Sequence, residues 1–164
     1  VGATLGRYPI RGRLGRGAGG DVYLSRHPDL PVSVALKVAH DRAAADRLRA
    51  EAAVLARVTH PNVVRLWGLE DVDGRTVLVL EHAPGGSLAL VRRPVEPRVA
   101  FRAAVAVLRG LRAAHAAGFT HGDVKPANVL AAADGRFQLA DFGTARRVGA
   151  TSPGPAVVDA TWSY

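Results

Sequence analysis

Two short stretches carry the residues best suited to chemistry. The first, 121–128, reads His-Gly-Asp-Val-Lys-Pro-Ala-Asn and supplies a carboxylate at Asp123, an ammonium at Lys125 and a carboxamide at Asn128. The second places another carboxylate, Asp141, before a Phe-Gly pair. These groups suit phosphoryl transfer, because one carboxylate can orient a hydroxyl nucleophile and the ammonium can hold the moving phosphoryl group. The amide and the second carboxylate can bind magnesium.

A glycine-rich turn is predicted near the N-terminus. Residues 15–20 read Gly-Arg-Gly-Ala-Gly-Gly, between the two candidate strands of a hairpin at 8–14 and 21–25. Dinucleotide-binding folds use the same G-x-G-x-x-G spacing but need a helix after it. Here the following residues, Val22-Tyr23-Leu24, favour a strand. We therefore expect a β-hairpin whose glycines let the backbone approach phosphates, and a merely flexible turn stays the alternative.

A lysine and a glutamate follow this hairpin in positions where they could meet. Residues 32–38 alternate like a strand and display Lys37 among apolar neighbours. Residues 41–58 have the period of a helix, in which Glu51 lies one step from the apolar stripe. Taken alone, Glu51 is an ordinary surface glutamate. The stripe itself consists of Leu48, Ala52, Leu55 and Val58.

The remaining elements are predicted from periodicity and turn residues. Strands are expected at 63–69 and 75–80, and a polar, glycine-rich break follows at 81–87. A long helix is expected at 97–117, with short strands after it at 129–130 and 137–139. The predicted buried face of this helix consists of Ala100, Ala104, Val107, Leu111 and Ala114.

Composition excludes several classes of protein. The 164-residue chain has no cysteine, so it has neither a disulfide scaffold nor a thiolate metal site. The net charge is +8, but the arginines are scattered and aromatic residues make up only 5%, so no nucleic-acid partner is expected. No apolar run is long enough to span a bilayer, so no membrane contact is expected from this segment and a cytoplasmic location is predicted.

The use of lysine is selective. Among the 22 basic residues only Lys37 and Lys125 are lysines, and both lie in the stretches singled out above. A lysine ammonium is a compact, flexible point charge that suits a phosphate. This distribution supports phosphate chemistry at both positions.

The order of these elements resembles that of bacterial-type Hanks Ser/Thr protein kinases. The resemblance implies an α+β fold with a five-stranded antiparallel N-lobe and one helix in 1–80, a hinge at 81–87, and an incomplete, mainly helical C-lobe in 88–164. It also implies a catalytic domain that stops before the family's Ala-Pro-Glu motif. ATP and Mg²⁺ are the implied cofactors, and Ser/Thr hydroxyls of proteins are the implied substrates.

The same resemblance implies a role for each motif residue. Lys37, held by Glu51, would contact the α- and β-phosphates, Asp123 would accept the substrate hydroxyl proton, and Lys125 would follow the γ-phosphate. Asn128 and Asp141 would hold the metal. The implied ATP-binding residues are Leu14, Gly15, Gly17, Gly20, Val22, Ala35, Lys37, Glu81, Ala83 and Leu130. Leu55, Leu66, His121 and Phe142 match the family's stacked internal spine.

One departure and two alternatives accompany this interpretation. Gly122 stands where most of the family has an arginine that receives an activation-loop phosphate, so phosphorylation at Thr151 or Ser152 is expected to matter little. A small-molecule kinase of the aminoglycoside-phosphotransferase type is one alternative, because His-Gly-Asp opens that family's catalytic loop too. A nucleotide-binding pseudokinase or docking module is the other.

Overall fold

The computed structural model describes residues 3–17, 20–91 and 94–149 of the chain. The predicted phosphorylation sites Thr151 and Ser152 therefore lie outside the described residues. Within the described ranges the secondary structure runs in the following order: β1 Thr4–Leu5, β2 Tyr8–Gly17, β3 Gly20–Arg26, β4 Ser33–Val38, α1 Arg42–Leu55, β5 Leu66–Val72, β6 Arg75–Glu81, α2 Pro97–Ala116, β7 Phe119–Thr120, β8 Val129–Ala131, β9 Phe137–Leu139 and β10 Arg146–Arg147.

An antiparallel sheet forms the first half of the described chain. Its strand order is β1-β2-β3-β4-β6-β5, and α1 crosses between β4 and the last pair. The five predicted strands and the helix are present, so the expected α+β class with an antiparallel sheet is confirmed. A sixth strand, β1, was not predicted. It pairs with the start of β2 through Leu5 and Tyr8 after a turn at Gly6, whose φ of 52° suits glycine.

Strand alternation gives the sheet two apolar faces. On β4, Val34, Leu36 and Val38 are buried on the face that also buries Tyr8, whereas the intervening residues face α1. On β6, Val77 and Val79 share the first face, and Leu78 and Leu80 pack towards α1. Apolar clusters lie on both faces of the sheet. A charged side chain on these strands can therefore be buried only if a group of opposite charge or a hydrogen-bond partner is close to it.

Helix α1 begins at a side-chain cap and ends before a proline. The Asp41 carboxylate accepts a hydrogen bond of 2.7 Å from the Ala44 amide, which satisfies one of the free N–H groups of the first turn. The helix ends at Leu55, three residues earlier than predicted, and Pro61 follows in the next loop. The predicted stripe is buried in full at Leu48, Ala52, Leu55 and Val58.

Helix α2 packs on a face that matches the predicted one only in part: Ala114 is buried and Leu111 packs against the core as predicted. Ala100 and Ala104 are exposed, and the fully buried positions are Ala103, Ala106, Gly110 and Ala114. The prediction was wrong at Ala100 and Ala104 because alanines also occur at Ala103 and Ala106, so periodicity alone did not single out one of these neighbouring stripes. Size decided it: a Cβ at Gly110 would lie 2.7 Å from the Asn62 carbonyl oxygen, so only a small face fits against the neighbouring loop.

The second half of the described chain consists mainly of α2 and two short two-stranded antiparallel ladders. Strand β8 pairs with β9, and β7 pairs with β10. Hydrogen bonds from the Val64 amide to the Leu139 carbonyl and from the Leu139 amide to the Asn62 carbonyl join β9 to the loop after α1. In the ranges described here, neither α-helix is both long and apolar enough to cross a bilayer.

Candidate active site

The ammonium of Lys37 lies between two carboxylates that come from distant parts of the chain. Alternation along β4 turns Lys37 towards α1, where its Nζ lies 2.8 Å from Oε2 of Glu51. The same Nζ lies 2.9 Å from Oδ1 of Asp141, 104 residues further on. Although burial opposes the charge, the carboxylates of Glu51 and Asp141 raise the pKa of Lys37, so the ammonium is retained at neutral pH.

Glu51 is the most deeply buried charged group of the site, with 1% of the residue exposed. One carboxylate oxygen bonds Lys37, and the other accepts a hydrogen bond of 3.3 Å from the Phe142 amide. Burial raises the pKa of Glu51, against the opposing effect of the Lys37 ammonium. Both oxygens therefore have partners that link α1 to β4 and to the segment after β9.

Asp141 takes an uncommon backbone conformation. Its φ is 62°, in the left-handed region that non-glycine residues seldom adopt. This turn sends the Asp141 carboxylate to Lys37, while the Phe142 ring packs edge-on against His121 with centroids 4.6 Å apart. An unusual conformation that is held by surrounding contacts is typical of functional sites.

The loop 121–128 gathers its three polar groups around one carboxylate. Oδ2 of Asp123 lies 2.7 Å from Nζ of Lys125 and accepts a hydrogen bond of 3.0 Å from the Asn128 amide nitrogen. The bond from Lys125 lowers the pKa of Asp123, burial opposes this, and the bond from Asn128 lowers it further. At neutral pH this group is an ionised acceptor that can take a proton from a hydroxyl.

His121 joins this loop to the segment that carries Asp141. Its Nδ1 accepts a hydrogen bond of 3.2 Å from the Asp123 amide, so its Nε2 carries the proton and donates to the Ala140 carbonyl at 3.0 Å. Burial lowers the pKa of His121, which favours the neutral ring that this arrangement requires. The Thr144 hydroxyl donates to the His121 carbonyl at 2.9 Å and closes the connection.

The donor set at Asn128 and Asp141 fits a magnesium ion. The Asn128 amide nitrogen donates to the backbone and side chain of Asp123, which leaves its oxygen as the atom for a cation. Asp141 uses Oδ1 for Lys37, and its side chain is 46% exposed. Mg²⁺ is commonly held by one or two protein oxygens together with phosphates and water. One carboxylate and one amide oxygen meet that requirement.

The glycine hairpin lies at one end of the sheet. Cα pairing matches Gly15 with Val22 and Gly17 with Gly20. A Cβ at Gly15 or Gly17 would meet nothing within 4 Å, so the backbone there is open to a ligand. Gly20 has a different reason to be glycine, because a Cβ there would collide with the Val38 carbonyl oxygen.

The residues assigned to adenine lie beside the same strands. Ala35 pairs with Leu24 on β3 and with Leu80 on β6, and it packs against the core below the sheet. Leu130 packs against the same core from β8 and forms a bridge with Ser87. The other assigned residues are Leu14, which is 48% exposed on β2, Glu81 at the end of β6, and Ala83, which is buried.

Gly122 occupies a crowded position whose backbone conformation would strain any residue with a side chain. Its φ is 85°, and a Cβ there would lie 2.9 Å from the Thr144 carbonyl oxygen. The position thus favours glycine for two separate reasons, conformation and space. Position 122, where the resemblance leads one to expect arginine, therefore has little room for any side chain in this structure.

The predicted site residues fall into three groups: Lys37 with its two carboxylates, the loop 121–128, and the glycine hairpin. The structure connects the first two groups. Lys37, Glu51 and Asp141 meet directly, and His121 and Ala140 connect them to the loop of Asp123. Among the described residues, no hydrogen bond or ion pair joins the glycine hairpin to that loop. Sequence reasoning missed Thr144, and its type and spacing gave no signal for the bond to His121.

Comparison with known proteins supplies the wider context. The family described as protein kinase domain matches residues 8–164. The chain is 39% identical to CBL-interacting protein kinase 4 of Oryza sativa subsp. japonica over 153 residues, which cover 86% of this chain and 34% of that protein. It is 39% identical over 155 residues to the serine/threonine-protein kinase PknL of Mycobacterium tuberculosis (strain CDC 1551 / Oshkosh), covering 89% and 39%.

A third relative agrees with these two. The serine/threonine-protein kinase PknJ of Mycobacterium bovis is 37% identical over 162 residues, which cover 92% of this chain and 28% of PknJ. The chain thus spans between about a quarter and two fifths of the length of these curated relatives. The fold, the arrangement of Lys37, Glu51 and Asp141, and the match over residues 8–164 agree, and the chain belongs to the protein kinase domain family.

Proposed function

We propose that this chain is the catalytic part of a Ser/Thr protein kinase that binds ATP with Mg²⁺ and phosphorylates hydroxyl groups of proteins. The observation that carries the proposal is the position of Lys37 Nζ, 2.8 Å from Glu51 and 2.9 Å from Asp141. A lysine held in this way can contact nucleotide phosphates beside a carboxylate that is suited to the metal. The relatives named serine/threonine-protein kinases support the same conclusion.

In this proposal Asp123 acts on the acceptor. The substrate hydroxyl oxygen forms a bond to the γ-phosphorus, the bond between that phosphorus and the β–γ bridging oxygen breaks, and ADP leaves. The proton of the hydroxyl passes to the Asp123 carboxylate, whose lowered pKa keeps it ionised beforehand. Lys125, 2.7 Å from Asp123, is placed to accompany the transferred phosphoryl group.

The nucleotide would lie between the glycine hairpin and β8. Gly15, Gly17 and Gly20 would cover the phosphates, and Leu14, Val22, Ala35 and Leu130 would enclose adenine, with the backbone at Glu81 and Ala83 bonding its edge. Asn128 and Asp141 would hold Mg²⁺, which when bound neutralises charge on the phosphates. We place the lobe boundaries at 1–80 and 88–164, with 81–87 as the hinge.

The two alternatives have weaker support. The comparisons lend none to a small-molecule kinase, since the relatives named above are protein kinases. A pseudokinase usually lacks part of the reacting set, whereas Lys37, Asp123, Asn128 and Asp141 are all present here, with Lys37 bonded to Asp141 and Asn128 bonded to Asp123. The geometry therefore favours a chain that turns over its nucleotide.

Replacement of Asp123 tests this function. In the full-length protein, Asp123→Asn should lower transfer of ³²P from ATP to a generic protein substrate by about a thousandfold, because general-base catalysis contributes on the order of 10²–10⁴. Binding of a non-hydrolysable ATP analogue should change little. Asp134→Asn, in the exposed turn before β9, is a matched control and should keep its activity. Near-normal transfer by Asp123→Asn would show that the base is misassigned.

A further inference from the structure

A pocket of about 210 Å³ lies between α2 and the turn that leads into β9. None of its lining residues that the structure describes is assigned to ATP or to catalysis. Its apolar surface comes from Phe101 and Val105 of α2 and from Phe137 of β9, and Phe101 is 71% exposed. The pocket is smaller than the roughly 300–1,000 Å³ of sites for drug-sized molecules, but it can take one large side chain.

The charged groups around this pocket are mostly of one sign. Among the described residues, three arginines line it and no acidic side chain does: Arg102 and Arg109 of α2, and Arg136 from the turn before β9. Asp134 of the same turn is paired with Arg136. Three positive charges and this one negative charge leave a local charge of +2. The surface is therefore complementary to an anionic partner.

The two helix arginines have donors left for a ligand. Nη2 of Arg102 donates to the Gly135 carbonyl at 2.9 Å, which uses only one of the five N–H groups of a guanidinium. Arg109 is exposed, and within the described ranges it forms no hydrogen bond or ion pair. Arginines and aromatic rings are the side chains that contribute most at binding hot spots. This pocket presents both.

The base of the pocket is fixed by buried residues. Asn62, in the loop after α1, is 9% exposed, and its Nδ2 donates to the Phe137 carbonyl at 2.8 Å. Ala106 of α2 also lines the pocket and is buried. A ligand therefore meets a preformed apolar surface, and only the exposed side chains around it have to be ordered on binding.

The spacing of the helix arginines indicates what kind of anion fits. Arg102 and Arg109 are seven residues apart, which is close to two turns and about 10 Å along one face of a helix. A single small anion would draw together two guanidiniums that repel each other. An extended peptide rises about 3.3 Å per residue, so carboxylates four residues apart are separated by about 13 Å. The residue midway between them points to the same side.

We propose that this pocket is a docking site for an acidic peptide segment of a partner protein, in which two carboxylates flank one large apolar side chain. The carboxylates pair with Arg102 and Arg109, and the apolar side chain lies against Val105 and the two phenylalanine rings. The size of the pocket, its charge and the spacing of the arginines together support this occupant. Docking here does not depend on the proposed phosphoryl transfer, because the pocket shares no residue with that site.

A short labelled peptide tests the site. The probe is Gly-Glu-Ala-Phe-Ala-Glu-Gly with an uncharged fluorescent dye at its N-terminus, and it has no hydroxyl side chain that could accept a phosphoryl group. Fluorescence anisotropy measures its binding to the full-length protein. Binding should saturate, with a dissociation constant about tenfold lower than that of the peptide in which glutamine replaces both glutamates. Replacement of the phenylalanine by alanine should weaken binding by about tenfold as well.

Two protein variants separate the pocket from general attraction to a basic protein. Arg109→Gln should reduce the preference for the glutamate peptide to about threefold or less, because one of the two pairing charges is lost. Arg42→Gln removes the same charge from an exposed position at the start of α1, outside the pocket, and should keep the full preference.

Three results would overturn the proposal: equal affinity of the glutamate and glutamine peptides for the unaltered protein, equal losses in the two variants, or unchanged binding of the peptide without phenylalanine. The peptide comparisons in the unaltered protein do not require either variant to fold. Since none of these measurements uses ATP, a negative result here is distinct from a failure of the proposed kinase activity.

Discussion

Glu51 shows how a single residue combines a cost with a function. A carboxylate that is 1% exposed loses most of its hydration, and burial accordingly raises its pKa. Its two oxygens recover part of that loss through Lys37 and the Phe142 amide. An uncharged group of the same shape would avoid the cost but would not hold the ammonium, so the charge is explained by the site and not by stability.

Glu51→Gln tests what the Glu51 carboxylate contributes to activity and to stability. The variant keeps the shape and one acceptor but loses the charge that holds Lys37, so we expect kcat/KM for ATP to fall by about ten- to a hundredfold. The melting temperature should fall as well, because the amide offers one acceptor oxygen to two donors and the buried Lys37 ammonium loses part of its compensation. Steady-state kinetics and a thermal melt measure the two quantities. The exposed Glu96→Gln is the control and should change neither; an equal loss in both variants would contradict the assignment.

Tyr8 provides a pH-dependent test on the far face of the sheet. Burial, together with its 2.6 Å bond to Glu70, raises the pKa of Tyr8 to about 12. The folded protein therefore holds this proton more tightly than the unfolded chain, whose tyrosine has an ordinary pKa of 10.0. The stabilisation is complete below pH 10 and is lost as the pH rises towards 12, by at most about 2.7 kcal/mol.

The measurement is a set of denaturant melts between pH 9 and pH 11.5. The free energy of unfolding of the wild type should fall more steeply over this range than that of Tyr8→Phe, which has no proton to lose. Parallel curves for the two proteins would show that Tyr8 ionises as freely in the folded state as in the unfolded state. An absorbance titration at the phenolate band checks the same ionisation directly.

At the scale of elements, the buried face of a helix could be predicted where polarity sets it and not where side-chain size does. Helix α1 has polar residues on one side, so its stripe through Leu48 and Leu55 could be predicted and is buried. Helix α2 carries alanine at neighbouring positions such as Ala103, Ala104 and Ala106, and its true contact face is set by the space beside Gly110, which periodicity does not report. Strand β1 was missed because two residues carry no period at all.

The turn at Gly122 makes an element-scale prediction. Gly118 and Gly122 share a φ of 85°, but a Cβ at Gly118 would meet nothing within 4 Å, whereas one at Gly122 would lie 2.9 Å from the Thr144 carbonyl oxygen. Gly118→Ala should therefore cost only backbone strain, about 1–2 kcal/mol. Gly122→Ala should cost that amount and about 1 kcal/mol more.

Chemical denaturation of the two variants measures the difference. Gly12→Ala serves as a further control, because a Cβ there meets nothing and the position has no positive φ. If Gly118→Ala and Gly122→Ala were equally destabilised, the contact with Thr144 would contribute nothing, and conformation alone would explain the glycine.

At the scale of the whole molecule, one apolar cluster joins the sheet, both helices and β9. Leu139 is fully buried in it, and its backbone bonds the loop between α1 and β5 in both directions. Leu139→Ala should lower the free energy of unfolding by about 2–5 kcal/mol. Hydrogen exchange should speed up in α1 and α2 together. Leu30→Ala, at an exposed loop position, is the control; faster exchange confined to β8 and β9 would show that the halves unfold separately.

The sequence predicted the residues of the site more completely than it predicted the packing of the helices, and the reason is physical. Lys37, Glu51, Asp123, Asn128 and Asp141 belong to short motifs whose residue types state their chemistry. The bonds that assemble them, such as Nε2 of His121 to the Ala140 carbonyl, use the backbone and leave no trace in residue type.

The distribution of lysine has a practical consequence for labelling. The only two side-chain amines in the sequence are Lys37 and Lys125, and both contact carboxylates of the site. Within residues 1–164, a reagent that acylates lysine side chains can therefore react only at these two positions. Lys125 is 52% exposed and Lys37 only 14%, so Lys125 should react first. Reductive methylation, biotin esters and amine-coupled sensor surfaces would all modify this region, and immobilisation through arginine-rich surfaces or a terminal tag avoids it.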